Sequence, residues 1–219
     1  QGLRAHGVLV ESTVGDASVT SVGTISTNGD SAEGIYAISS GTGVTVAATQ
    51  ASGSITTKGI NADAVVAYAD GATTTTGVKA VATQSGGSIV TTGGSTTVPF
   101  IGTPVNGSSG LVAQVGTVSS LGVPSGGTGE AQAIQSGGSI TTSGILGYGI
   151  LAMNAGTGNA IVTQTGGTVA TTGELAQGIY ASAETGSVTV DSGGTVSTTG
   201  KSATGILALA SNGVTINQT

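Results

Sequence analysis

Ten acidic side chains, four basic ones, a single histidine and no cysteine carry whatever chemistry this 219-residue chain can perform. A Ser-His-Asp relay needs an imidazole oriented by an acid beside a hydroxyl nucleophile. His6 is the one imidazole and reads as a surface residue in the first repeat. No serine has glycine both two before and two after it, so a nucleophile elbow is missing. Without cysteine there is no disulfide, thiolate or Cys-containing metal site. Glu33 and Asp63 are the carboxylates with a meaningful spacing, because they hold equivalent places in a repeat that Gln177 and Thr204 occupy later.

Such a pair belongs on neighbouring layers, where it could hold Ca²⁺ or push one pKa up. A groove along stacked strands with clustered carboxylates is also the equipment of a carbohydrate-active solenoid, the enzyme alternative for this chain. No Lys or Arg joins Glu33 and Asp63, and aromatic residues are 2% of the chain. Both are therefore read as solvated corner residues, as are Asp30 and Asp70. No catalytic residue, metal ligand or cofactor is expected.

The elements that would position these groups follow from composition. Gly is 41 residues, Phe 1, Trp 0 and Pro 3, with charged residues at 6% and apolar ones at 37%. Scarce aromatics argue against a helical bundle, a Rossmann enzyme and a base-stacking surface. A net charge of −6 leaves little with which to displace phosphate counterions, so nucleic acid is not an expected partner. Abundant Val, Ile and Thr with few charges favour β-structure over disorder. No run of some 20 apolar residues suggests a membrane span, and Gln1 opens no recognisable signal peptide, so export or anchoring signals are expected outside this stretch.

Internal repetition sets the fold. One segment closes on glycine as TISTNG (24–29), SITTKG (54–59), SIVTTG (88–93), SITTSG (139–144), TVATTG (168–173) and TVSTTG (195–200), at spacings of 30, 34, 51, 29 and 27 residues. A second recurs as GVLV, GIYA, AVVA, GLVA, GILA, GIYA and GILA, and a looser third ends in Gln50, Gln84, Gln135 and Gln164, with Asp191 in the equivalent place. Three short strands per repeat with Gly, Ser, Asn and Asp corners predict an all-β, right-handed parallel β-helix of about seven coils, each of roughly 27–30 residues. Coils about 4.8 Å apart would make a rod roughly 35 Å long.

Alternation assigns the faces. Ile25, Ile55, Ile89, Ile140, Val169 and Val196 point inward, as do Thr27, Thr57, Thr91, Thr142, Thr171 and Thr198, whose hydroxyls must find partners on the next coil or the corner backbone. Outward Thr pairs are too irregular for an ice-binding face. In the second segment the outward column reads Leu9, Tyr36, Val66, Val112, Leu151, Tyr180 and Leu207, an apolar strip that monomers rarely leave without use or cover. Departures from the repeat predict loops at about 68–79, 94–109 and 114–130. The second carries Phe100 and Ile101, the expected plug over the middle of the strip, and Asn106 in an Asn-Gly-Ser acceptor pattern also seen at Asn217-Gln-Thr.

SGGTVSTTG and GIYA recurring every 27–30 residues, with Gly and Thr enriched and Cys absent, resemble the passenger region of Gram-negative autotransporters, the type V secretion family. The resemblance covers nearly the whole chain and is weakest across 94–130. It implies a single β-helical stretch of a larger adhesin-like passenger, displayed at the bacterial cell surface and outer membrane or secreted, that supports adhesion, autoaggregation or biofilm formation. Its implied partners are a host surface or matrix protein or a second passenger. Membrane contact would come only through a C-terminal barrel beyond this stretch. No enzymatic activity is implied for the segment itself.

Overall fold

A computed structural model describes residues 5–70, 76–94, 107–118, 124–125 and 128–219. Every described element is a strand or a turn, and the strands stack into three parallel sheets that the chain visits in rotation. Sheet 1 has seven strands: Val8–Ser12, Ile35–Ser39, Val65–Ala69, Leu111–Val115, Ile150–Asn154, Ile179–Ala183 and Ile206–Ala210. Sheet 2, also seven-stranded, begins at Ala17–Ser21 and ends at Gly213–Gln218. Sheet 3 holds the six strands from Thr24–Thr27 to Thr195–Thr198. This is a parallel β-helix with three strands per coil.

Equivalent residues pair across coils as the repeat predicts, with Ile35 opposite Val65, Val65 opposite Leu111 and Leu111 opposite Ile150. The interior is a column of such side chains, and the largest of them are fully buried isoleucines and leucines. A prism this narrow fills with Ala, Val and Ile, which is why the chain folds almost without Phe or Trp.

Three expected loops are shorter than their sequence suggests. Tyr68 and Ala69 finish a sheet 1 strand and 76–79 open Thr76–Gln84, while Gln114 and Val115 finish Leu111–Val115 and 128–130 open Thr128–Gln135. Between those last two strands Thr117–Val118 and Pro124–Ser125 form a small antiparallel pair. Gly107, Ser108 and Ser109, at the end of the second expected loop, are buried. Sheet-forming residues at these ends lack the repeat's signature letters, and the pairing partner on the next coil recruits them.

Two columns of buried polar side chains, Thr and Gln, find partners inside the helix. The inner Thr hydroxyls choose the corner backbone: Thr27 Oγ1 donates to Ala32 O at 2.6 Å, Thr57 to Ala62 O at 2.6 Å and Thr171 to Ala176 O at 2.7 Å. Gln84 Nε2 donates to Gln50 Oε1 at 3.0 Å, Gln135 Nε2 to Gln84 Oε1 at 2.9 Å and Gln164 Nε2 to Gln135 Oε1 at 2.8 Å. The ladder closes on Ser192, not on Asp191. Ser192 pairs with Gln164 and its hydroxyl donates to Gln164 Oε1 at 2.6 Å, whereas Asp191 points outward and accepts from Asn217. A buried end suits a neutral hydroxyl better than a carboxylate. Gln135→Leu removes one donor and one acceptor from this chain, so it is expected to lower unfolding free energy by about 2–5 kcal/mol. Urea denaturation showing a loss below about 1 kcal/mol would mean that the ladder adds no net stability.

The closing glycines of sheet 3 are needed for approach and not for a left-handed turn. A Cβ on Gly59 would lie 1.8 Å from Gly29 O, and one on Gly144 2.0 Å from Gly93 O. The positive φ falls two residues later, on Ser31, Asn61, Leu146, Leu175 and Ser202.

Candidate functional site

Outside the core, sheet 1 presents three columns. Its middle column is the expected strip. The second residue before each strand contributes His6, Glu33, Asp63, Ser109, Tyr148, Gln177 and Thr204, and the fourth strand position contributes Glu11, Ile38, Tyr68, Gln114, Met153, Ser182 and Leu209. Alternation puts the second and fourth positions on one face, and the turn before the strand brings the preceding residue alongside.

The strip is not uniformly outward-facing in character. Val66, Val112 and Leu151 are buried in a cluster with Tyr36, Tyr68, Tyr148, Met153 and Tyr180 packed against it. Large side chains in the flanking columns lean over small ones in the middle column and take them out of water. The expected plug residues Phe100 and Ile101, and Asn106, lie outside the described residues, as does most of 94–109. Toward the ends the strip opens: Leu9 is exposed, and Tyr36, Tyr180 and Leu207 are half-buried. Tyr148 and Tyr180 stack with ring centroids 5.1 Å apart and planes 12° from parallel.

Glu33, Tyr36, Asp63, Val66, Tyr68, Val112 and Gln114 line one open groove of about 220 Å³. Glu33 and Asp63 are thus neighbours on adjacent coils, as their repeat positions predict, but they are not solvated corners. Glu33 is 14% exposed and touches His6 Nδ1, to which its backbone N–H also donates at 3.3 Å. His6 is correspondingly not a stray surface residue; its ring lies 5.4 Å from that of Tyr36. Asp63 Oδ1 accepts from the Ser109 backbone N–H at 2.5 Å. Burial, reinforced by the negative charge of Glu33 and opposed by that hydrogen bond, pushes the Asp63 carboxyl up to about 7. Burial likewise raises the Tyr36 and Tyr68 phenols, with the nearby carboxylates Glu33 and Asp70 as the next causes, and takes Tyr148 to about 12. Tyr68 Oη donates to Asp70 at 3.1 Å, so Asp70 is engaged as well.

A corner is normally wet, so corner position by itself implies solvated acids. The side chains that cover them come from different columns. Tyr68, Gln114 and Met153 sit one alternation step beyond the repeated four-letter segment, and following GIYA to GIYAIS and AVVA to AVVAYA is the signal that finds them.

Among the described residues no cluster of three or more His, Cys, Asp or Glu side chains has metal-binding geometry. None of the described lysines lines the groove; Lys79 pairs with Glu130 at 2.9 Å and Lys201 with Glu174 at 3.6 Å. The groove can offer an apolar floor, two aromatic walls and negative charge. No protein-family model, curated protein or solved structure matches the chain.

Proposed function

We propose that the chain is a section of an extracellular β-helical stalk, adhesin-like and of the autotransporter-passenger kind, that supports bacterial adhesion or autoaggregation through the outer face of sheet 1. The observation that carries this is the apolar and aromatic column running along that face from Leu9 to Leu207. Its exposed and half-buried end residues, with the side chains packed over its buried middle, present apolar surface whose desolvation favours contact with another protein. Host matrix proteins and further passengers are the partners of this reading, and the cell surface is its place.

Replacing Tyr180 and Leu207 together with Ser is expected to reduce cell aggregation and matrix adhesion several-fold, with the β-sheet circular dichroism of the folded chain retained. A second reading, a carbohydrate-active solenoid, gains support from the groove that Glu33 and Asp63 share with Tyr36 and Tyr68. The groove lies on coils two to four, while Tyr180 on coil six stands about 10 Å beyond its edge at about 4.8 Å per coil. Unchanged adhesion in the double variant, together with polysaccharide cleavage that disappears in Glu33→Gln and Asp63→Asn, would replace the adhesive reading with the enzymatic one.

A further inference from the structure

We propose that the groove framed by Tyr36, Tyr68, Glu33 and Asp63 receives a lysine side chain of a partner protein, its aliphatic stem on Val66 and Val112 and its ammonium against the two carboxylates. The inference rests on the reading of sheet 1 as a protein-contact face and names the chemistry that the face selects.

Charge complementarity argues for it first. Two carboxylates line the groove, Glu11 and Asp70 add negative potential at Tyr36, and no lysine lines it among the described residues. The lining offers an anionic ligand no cationic side chain. Shape and polarity argue next: the floor is two valines, and the carboxylates stand together in the column that precedes the strands. A linear apolar stem ending in one strongly hydrogen-bonding cation matches that division, since an ammonium has three donors and no acceptor. A sugar ring would set hydroxyls over the valines and leave most of them unpaired. The tyrosine rings supply the third term, because a cation beside aromatic faces in a partly desolvated site is attracted by their quadrupoles. Glu33 is held by His6 and Asp63 by the Ser109 N–H, so the anionic wall is fixed before a ligand arrives.

Protonation should tune the site. Asp63 titrates at about 7, so it carries its full charge above that pH and loses it below. The other ionisable groups around it are Glu33 with His6 against it, Glu11 and Asp70, and the Tyr36 and Tyr68 phenols, which burial pushes up and keeps neutral. Affinity for a lysine side chain is therefore expected to fall about tenfold from about pH 8 to about pH 6.

The test is an NMR titration of the ¹⁵N-labelled chain with acetyl-Gly-Lys-Gly-amide, and with the norleucine peptide, which keeps the four-carbon stem and lacks the ammonium. Saturable shifts at Tyr36, Val66 and Val112 are expected, with a Kd on the order of 1 mM for so small a ligand. The norleucine peptide, Glu33→Gln and Asp63→Asn should each weaken binding about tenfold. Asp63→Asn keeps an acceptor for Ser109 and removes a charge that burial disfavours. It should thus melt no lower than the parent above pH 7, so that lost binding reports charge and not unfolding. Equal binding of the lysine and norleucine peptides, or binding that ignores pH, would overturn the proposal. So would saturable shifts from cellohexaose with none from the lysine peptide, which would assign the groove to carbohydrate. No lysine binding alongside a loss of adhesion in the Tyr180 and Leu207 variant would sink this inference and leave the contact-face reading standing.

Discussion

Ile150→Asp is expected to cost at least about 4 kcal/mol of unfolding free energy, enough to unfold several coils at ordinary temperature. Ile150 has no solvent exposure and is stacked between Leu111 and Ile179 on the adjoining coils. An aspartate there has no cation and no free donor to receive it. The loss spreads in both directions because each coil of a solenoid owes its stability to the two it touches. Thr172→Asp serves as the contrast: Thr172 is exposed at the end of a sheet 3 strand, and a change there should stay within about 0.5 kcal/mol. Thermal melts of the two variants measure the difference. Comparable losses would mean that inward and outward faces have been exchanged.

Gly173→Ala carries the second large effect and reverses the usual sign. Alanine in place of glycine normally stabilises by about 0.4–1 kcal/mol where the backbone permits it, by restricting the unfolded chain. Gly173 has no positive φ, so conformation alone would permit the change. Its Cβ, however, would lie 1.8 Å from Gly144 O and 2.5 Å from Gly144 C on the preceding coil. Both are backbone atoms fixed by the parallel ladder, since Ser139–Thr142 pairs with Thr168–Thr171 immediately before this corner. The coils must separate there, and a loss of about 3 kcal/mol or more is expected. Gly23→Ala is the matched control, because nothing lies within 4 Å of the added methyl. It should be neutral or slightly stabilising in the same denaturation experiment. Equal stability of the Gly173 and Gly23 variants would show that the corners yield easily.

Fold and register were legible because a parallel solenoid writes its third dimension along the chain. Ile55, Ile89 and Ile140 stack because each sits at the same place in its own repeat, and the period of two tells which neighbours share their face. The inner Thr and Gln columns were readable on the same ground, as positions where polar side chains recur among buried ones. Where the third segment loses its letters, equivalence by spacing names Asp191, and the residue paired with Gln164 is Ser192, one position on. Only the hydrogen-bonded ladder distinguishes those two.

Contacts between columns were not legible in the same way. The adjacency of Glu33 and Asp63 follows from the repeat, but their removal from water depends on the bulk of Tyr36 and Tyr68, which stand in two other columns. The same lateral packing buries Val66, Val112 and Leu151, three residues that alternation alone sends outward. The sheet 3 glycines show the limit from the opposite side. Their recurrence marked the corners, yet the reason for them is a neighbouring carbonyl and not their own torsion angles. Stacking along the rod is a property of equivalent positions, so the amino-acid order determined it. Burial across a face is a property of unlike positions and of unequal side-chain volumes meeting in space, so only the tertiary structure could decide that a wet corner and an apolar strip are one groove.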